Sequence, residues 1–244
     1  MMSGSATLLL RLAGPMQSWG VQSRFTIRDT AREPTKSGVV GLLCAALGRP
    51  RQDPVDDLAA LRMGVRVDAE GNLAREYQTV GGGSWPGREE YGVASAANKS
   101  LETQTTVRYY LAQAVFLVGL EGDPPLLEHL AAALRQPRWQ LYLGRKSYVP
   151  AEPVLYPDQP IRRQGLEEAL RSVPWPVSDT VPRRLREQPP ELVRVVLEEP
   201  DLARAERAQL DQPVGAAFQD RRFTLRGART EFWRLGVEVP KRED

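Results

Sequence analysis

The chain has 244 residues, of which 41% are hydrophobic and 26% are charged, and its 33 basic and 31 acidic side chains leave a formal charge of +2. This length supports one domain or two closely joined domains with a substantial core, which excludes an intrinsically disordered chain. One cysteine and one histidine exclude an internal disulfide and a zinc site of Cys and His ligands. The longest apolar run, Val39–Leu47, is about half of a membrane span, so we expect a soluble, cytoplasmic protein that does not bind membranes.

The small net charge hides an uneven distribution of basic residues. Of the 33 cations, 29 are arginine, a side chain whose planar fork suits phosphate and whose flat face stacks on bases, although a GC-rich genome also favours arginine. Residues 1–52 carry seven cations and two anions, residues 135–148 carry four cations and no acid, and residues 221–234 carry five arginines and one acid. This segregation favours a polyanion-binding groove on one side of the molecule.

The predicted elements begin with a strand and a helix. Thr7–Leu12 alternates apolar and other residues and stops at Gly14, which predicts a strand. Hydroxyl residues within Thr35–Ser37 precede the apolar stretch Gly38–Leu47, and Gly48 follows it. This order predicts a helix with a hydroxyl N-cap and a glycine end.

The segment Gly81–Ser100 is rich in glycine and small residues with little apolar pattern, which indicates an exposed excursion from the body. Around it the sequence predicts a helix at 54–61, strands at 65–67, 73–77, 103–113 and 115–120, and a helix at 125–134. The order strand, helix, strand, excursion, strand, helix predicts an α+β protein with a ferredoxin-like, RRM-like core. In such a core the helices cover one sheet face, and we expect the other face to be free for a ligand.

The last third of the chain is different in character, because nine of the twenty prolines lie between Pro150 and Pro190. This stretch predicts irregular chain wrapping a surface. The elements predicted here are a short helix at 165–171, a strand at 192–197, an acidic helix at 201–210 and a hairpin of strands at 221–226 and 231–239. We divide the chain into a domain over 1–148 and a smaller β-rich extension over 149–244. The sequence leaves open whether that extension is a small second domain or adds strands to the first.

Familiar catalytic patterns are missing. Lys36 opens a helix as in a P-loop, but Thr35 precedes it and no G-x-x-x-x-G-K frame exists. There is no G-x-S-x-G nucleophile, and His129 lies on a helix flank outside the basic clusters. Cys44 lies among leucines and is expected to be a buried, inert thiol. No metal or cofactor is predicted.

The sequence does contain residues suited to binding a ligand. Free backbone N–H groups, a hydroxyl and an ammonium at Thr35–Ser37 predict an anion site for a phosphate. The loop before this helix adds amides, an indole and guanidinium groups, a mixture typical of single-stranded RNA recognition, although Trp19 is equally consistent with a core residue. A second basic segment ends at Tyr148, and its adjacent Arg145 and Lys146 are also consistent with a solvated charge pair. The candidate RNA-binding residues are Gln17, Ser18, Trp19, Arg24, Arg28, Lys36, Ser37, Arg108, Arg145, Lys146 and Tyr148.

Three sequence blocks carry a family resemblance. They are GPMQSWG at 14–20, EPTKSGVVGLL at 33–43 and YLGRKS at 142–147. They closely resemble the E subtype of the fifth family of CRISPR-associated proteins, members of the RAMP superfamily. The resemblance covers most of the chain and is specific mainly over residues 6–50 and 103–148.

The resemblance implies a subunit of the type I-E CRISPR Cascade complex that binds the 5′ handle of the guide RNA (crRNA) and caps the backbone of the complex. It further implies a thumb hairpin inserted at about 78–108 and reaching toward the backbone subunit. The implied partners are the backbone subunit CasC and the large subunit CasA, with target DNA bound only by the assembled complex.

The same family contains members of another subtype that cut precursor RNA, so a metal-independent endoribonuclease is the alternative. Such cleavage needs a general base and a general acid, usually histidine at neutral pH. Only His129 is present, and a pairing of Tyr148 with Lys146 has no evident pKa-lowering neighbour in the sequence. A non-catalytic binding subunit is therefore the preferred prediction.

Overall fold

The computed structural model describes residues 5–21, 26–81, 92–94, 101–176, 179–215 and 218–235. The strands are β1 (Ala6–Ala13), β2 (Met16–Gln17), β3 (Ile27–Arg28), β4 (Arg62–Ala69), β5 (Asn72–Val80), β6 (Val93–Ala94), β7 (Leu101–Glu102), β8 (Gln104–Ala112), β9 (Val115–Gly122), β10 (Ile161–Arg162), β11 (Val193–Glu198), β12 (Arg207–Pro213) and β13 (Phe223–Trp233). The helices are α1 (Lys36–Leu47), α2 (Asp56–Ala59), α3 (Pro124–Arg135), α4 (Leu166–Ser172) and α5 (Arg183–Glu187), and a short 3₁₀ helix spans Phe218–Asp220. The prediction of a mixed α+β protein is confirmed. No helix in these described ranges combines the length and apolarity that crossing a bilayer requires.

Helix α1 forms as its sequence predicts. The Thr35 hydroxyl accepts a hydrogen bond from the Gly38 N–H at 3.3 Å, which satisfies one of the free donors of the first turn. Gly48 ends the helix in the left-handed conformation at φ +69°, where a side chain would be strained.

The main sheet has seven strands in the order β10-β1-β9-β4-β11-β13-β12, and every pairing in it is antiparallel. Strand β1 pairs along its full length with β9, Ala6 opposite Gly122 and Ala13 opposite Val115. Strands β11, β13 and β12 come from the last third of the chain and continue this sheet beyond β4.

Both faces of the main sheet are covered. On one face Leu8 and Leu10 of β1 pack in a core with residues of α1 and α3. On the other face Leu9 packs in a second core with Leu166 of α4 and Trp175 of the proline-rich segment. The expectation of a free sheet face is therefore wrong, because the consecutive leucines of β1 supply apolar side chains to both sides.

Two predictions for the last third are also wrong. The predicted helix at 201–210 is replaced by a turn and strand β12, because Gln209 and Asp211 hydrogen-bond to Arg226 on the neighbouring strand and this pairing outweighs local helix propensity. The predicted hairpin is replaced over its described part by the single strand β13, which pairs with β12 and then with β11, and residues 236–239 of the predicted second strand lie outside the described residues. At Gly227 a Cβ would lie 2.4 Å from the Glu199 carbonyl oxygen, so only glycine permits this close approach.

Strands β2, β3, β5 and β8 form a second, smaller sheet, here called the outlying sheet. The chain turns at Gly71, and β5 then leaves the main sheet and pairs with β8, Asn72 opposite Ala112 and Val80 opposite Gln104. The two strands form a long hairpin stem. Most of the predicted excursion between them lies outside the described residues.

Candidate nucleic-acid interface

The predicted anion site at the start of α1 is filled by the chain's own carboxylates. The Lys36 side chain is 2% exposed, and its Nζ lies 2.9 and 3.0 Å from the two carboxylate oxygens of Glu198. The Lys36 backbone N–H donates to Asp211 at 2.8 Å. Burial lowers the pKa of Lys36, and Glu198 only partly offsets this effect. The expectation of free donors for a phosphate is therefore wrong.

The same region carries a wider ion-pair network. Asp211 accepts from Nε and Nη2 of Arg226, both at 2.8 Å. Glu33, three residues before Lys36, accepts from Arg207 at 2.6 Å and Arg194 at 2.9 Å. Burial raises the pKa of Glu33, but Arg207 and Arg194 outweigh it and hold that pKa below its ordinary value. This α1 junction, Glu33–Lys36 with its partners on β11, β12 and β13, is a structural link between the helix and the last strands.

The first sequence block is buried rather than open to a ligand. The Gln17 amide donates to the carbonyls of Leu12 and Ala114 at 3.0 and 2.8 Å, and its oxygen accepts from the Trp19 indole at 3.3 Å. The Trp19 side chain is 1% exposed, and a Cβ on Gly38 would lie 2.8 Å from its ring. Of the two interpretations that the sequence left open for Trp19, the structure selects the core residue.

Ser18 joins the first block to the third. Its hydroxyl is buried and donates to the Tyr109 carbonyl at 3.1 Å, while its N–H donates to the Leu143 carbonyl. Gly144 has φ +87°, and a Cβ on it would lie only 1.7 Å from the Ser18 carbonyl oxygen. These contacts explain why a glycine stands in that block.

The outlying sheet brings distant arginines together. Arg28 on β3 is exposed and lies in register with Arg108 on β8, and Arg108 lies opposite Glu76 on β5. Residues paired across neighbouring strands point to the same side of a sheet. Arg108 is half-buried and donates to the Thr106 hydroxyl at 3.1 Å.

Arg145 of the third block and Tyr148, the residue after that block, complete this site. The buried Tyr148 hydroxyl accepts from Arg145 at 2.9 Å and donates to Glu76 at 3.1 Å, and Arg145 lies 3.9 Å from Glu76. Burial raises the pKa of Tyr148. Arg108 and Arg145 flank Glu76, and Arg28 lies beside Arg108, one strand farther from Glu76. We call Arg28, Arg108 and Arg145 the arginine row.

The remaining predicted residues stand apart from these groups. Lys146 is exposed next to Arg145, and Ser37 is half-buried in the first turn of α1. Arg24 lies outside the described residues. Sequence reasoning missed Glu76, whose signal was its place inside the alternating strand β5, where its side chain shares a face with Arg108.

The described part of the chain holds no group of three or more His, Cys, Asp or Glu side chains arranged to bind a metal ion. The chemistry of the arginine row is that of anion recognition, since guanidinium groups bind phosphate through charge-assisted hydrogen bonds.

Comparisons with known proteins give a consistent result. A sequence profile described as CRISPR-associated protein (Cas_Cas5) matches residues 7–243. The chain is 40% identical over 157 residues to the protein named CRISPR system Cascade subunit CasD of Escherichia coli (strain K12), a match that spans 57% of this chain and 65% of that relative.

Solved structures are similar over nearly the full length. One described as the crystal structure of a Cas protein has a TM-score of 0.72 and 43% identity, covering 96% of this chain and 100% of its own. A chain of a CRISPR RNA-guided surveillance complex has a TM-score of 0.73 and 33% identity, covering 95% of this chain and 94% of its own. With a profile that extends over almost every residue, the chain belongs to the Cas5 family of CRISPR-associated proteins.

Proposed function

We propose that this chain is the crRNA-binding subunit of a type I-E Cascade complex, that it grips the 5′ handle of the guide RNA, and that it caps the backbone of the complex. Family membership and the similarity to a chain of an RNA-guided surveillance complex support the proposal. The observation that carries it is the arginine row, in which three separate segments bring Arg28, Arg108 and Arg145 together at the outlying sheet, Arg28 beside Arg108 and Arg145 near Glu76.

The strand order supports a ferredoxin-like, RRM-like core. The connection β1-α1-β4 followed by β9-α3-β10, with the spatial order β10-β1-β9-β4, is the arrangement of a βαββαβ unit. The division at residue 148 stays a prediction, and β10, the last strand of this unit, lies beyond that boundary.

We further propose that the β5–β8 hairpin is the stem of a thumb over about 78–108. Its nine paired positions run from Asn72 opposite Ala112 to Val80 opposite Gln104, outside the main sheet. The proposed partners are CasC, reached by the thumb, and CasA, with target DNA bound only through the assembled complex.

The proposed role is non-catalytic. Metal-independent RNA cleavage needs a side chain that accepts a proton near pH 7. The Tyr148 hydroxyl is buried between Arg145 and Glu76 with a raised pKa, which makes it a poor base. The only histidine of the chain, His129, is exposed on α3. No observation on the described residues favours the endoribonuclease alternative.

The test is the salt dependence of binding to a synthetic handle RNA. We expect Arg28→Ala and Arg108→Ala each to weaken binding and to reduce the slope of log K against log salt by about 0.7, the value for one lost phosphate contact on a single strand. Arg183→Ala on α5, which removes an exposed arginine elsewhere, is the matched control and leaves the slope unchanged.

Two results would contradict the proposal. One is an unchanged slope in both variants of the arginine row. The other is the appearance of cleavage products when the purified chain is incubated with repeat RNA, which would favour the endoribonuclease instead.

A further inference from the structure

A second group of arginines lies at the end of α1 opposite Lys36, about 18 Å away along a helix of 12 residues. Three segments that are far apart in sequence meet there. The group consists of Arg51, Arg135, Arg138, Trp139, Arg221 and Arg222, here called the Arg/Trp patch, and none of its members belongs to the arginine row.

Backbone hydrogen bonds bring the first two segments together. Arg138 and Trp139 donate their N–H groups to the carbonyls of Ala46 and Ala45 at 2.9 and 3.1 Å, which satisfies the last turn of α1. A Cβ on Gly48 would lie 2.2 Å from Cδ of Arg138, so the methylene stem of that arginine crosses the glycine. The helix end and the segment after α3 are thus in direct contact.

The third segment is fixed by Arg51. The Arg51 carbonyl accepts from the Gln219 N–H at 2.8 Å, which places the 3₁₀ helix and the following Arg221 beside the α1 end. Arg221 has φ +50°, a left-handed conformation that is uncommon outside glycine and that recurs at binding sites.

The charges of this patch are available to a ligand. All five arginines are exposed, and within the described ranges none of them forms an ion pair. The neighbouring acid Asp57 is already bound by Arg49 at 2.6 and 2.8 Å, and Asp220 is the acid next to Arg221. Elsewhere in the same ranges most arginines are paired, so this concentration of unpaired cations is distinctive.

Trp139 indicates the chemical class of the ligand. Its side chain is 47% exposed, whereas Trp19, Trp175 and Trp233 are 1–5% exposed. An exposed indole among arginines offers a stacking surface for a base next to donors for phosphates, the combination by which proteins hold single strands without reading their sequence. An acidic protein surface would use the arginines but would have no need of the indole.

We propose that the Arg/Trp patch is a second nucleic-acid site, which binds single-stranded nucleic acid through its phosphates and through stacking on Trp139, separately from the guide handle at the arginine row. The inference goes beyond the proposed function, because it assigns a site to a strand other than the handle.

The test uses the full chain already saturated with handle RNA and titrated with a 12-nucleotide oligo-dT. We expect quenching of tryptophan fluorescence that is lost in Trp139→Phe. We expect the double variant Arg51→Gln/Arg135→Gln to reduce the salt slope by about 1.4, two contacts at about 0.7 each. The matched control is Arg183→Gln/Arg184→Gln on α5, whose Leu185 packs against the core on the other sheet face, and it should leave the slope unchanged.

Three outcomes would overturn the proposal. The first is quenching that persists in Trp139→Phe, and the second is an equal loss of slope in both double variants. The third is displacement of oligo-dT by polyglutamate at comparable concentration, seen as recovery of the quenched fluorescence, which would assign the patch to an acidic protein. Handle binding that falls in Arg28→Ala while oligo-dT binding stays constant would show that the two sites are separate.

Discussion

Two carboxylates from the last strands hold Lys36 in its buried position. Glu198 binds its ammonium and Asp211 binds its backbone N–H, so the residue is held inside the protein and not at its surface. Ion pairs in such places contribute little net stability as a pair, yet removal of one partner is costly because the other charge stays buried without compensation.

We therefore expect Lys36→Met to lower the free energy of unfolding by roughly 3 kcal/mol, because Glu198 would lose its counter-ion. Urea denaturation measures this change. Ser37→Ala, at the adjacent half-buried position, is the control and should stay within about 0.5 kcal/mol of the parent. A stable Lys36→Met variant with a reduced salt slope for handle RNA would restore the phosphate interpretation.

The lowered pKa of Glu33 predicts that part of the folding stability depends on pH. Its pKa is lower in the folded chain than the ordinary value of 4.5, so its contribution to stability is complete above that pH and is lost as the pH falls through the folded pKa. We expect Glu33→Gln to cost about 2 kcal/mol at pH 7, and we expect the difference from the parent to shrink below about pH 4.5.

Denaturation at a series of pH values checks this expectation. Glu70→Gln is the control, because Glu70 also binds Arg194 but its side chain is half exposed, and it should cost less than about 1 kcal/mol. A constant difference between Glu33→Gln and the parent from pH 7 down to pH 3 would show that the charge of Glu33 is unimportant.

At the scale of elements, the β5–β8 hairpin is held in place by the side chain of Tyr148. Tyr148 ties the hairpin to the third sequence block through Glu76, and its ring lies 6.0 Å from that of Tyr110 on β8. Arg145 and Tyr148, predicted as RNA contacts, therefore also hold the stem of the proposed thumb.

We expect Tyr148→Phe to lower stability by about 1 kcal/mol, the typical net effect of a lost hydrogen bond, and to accelerate amide exchange in β5 more than in β1. Hydrogen exchange with mass spectrometry resolves the two strands. Tyr142→Phe, at a half-buried position in the same block, serves for comparison and should leave the β5 rate unchanged. Equal exchange in both variants would exclude an anchoring role for the Tyr148 hydroxyl.

At the scale of the whole molecule, the last strands and the first ones share one sheet. Strand β11 pairs with β4, and the core on the second face combines Leu9, Val195 and Trp233 from opposite ends of the chain. Cooperative unfolding is the expected consequence, because neither part buries its apolar surface alone.

A chain ending at residue 190 lacks β11, β12 and β13 and exposes the edge of β4. We expect this fragment to aggregate and to show no sharp urea transition, whereas in the full chain fluorescence and circular dichroism should report one common transition. A fragment that unfolds sharply would establish residues 1–190 as an independent folding unit.

The local sequence pattern was sufficient to predict much of the secondary structure in the first half of the chain. Strand β1, helix α1 with its Thr35 cap and Gly48 end, and helix α3 follow from periodicity and terminal residues, since these signals act within a few positions. The same reasoning failed for β12, where contacts with Arg226 replaced the local helical preference.

The sequence by itself determined the α+β class, the early elements, the surplus of arginine and the resemblance to the Cas5 family. Only the tertiary structure decided which arginines are available to a ligand, that Trp19 is a core residue, and that both faces of the sheet are covered. The physical reason is that burial and ion pairing depend on neighbours that are remote in the chain. Lys36 meets its two carboxylates across 162 and 175 positions of sequence, a distance over which no local pattern carries information.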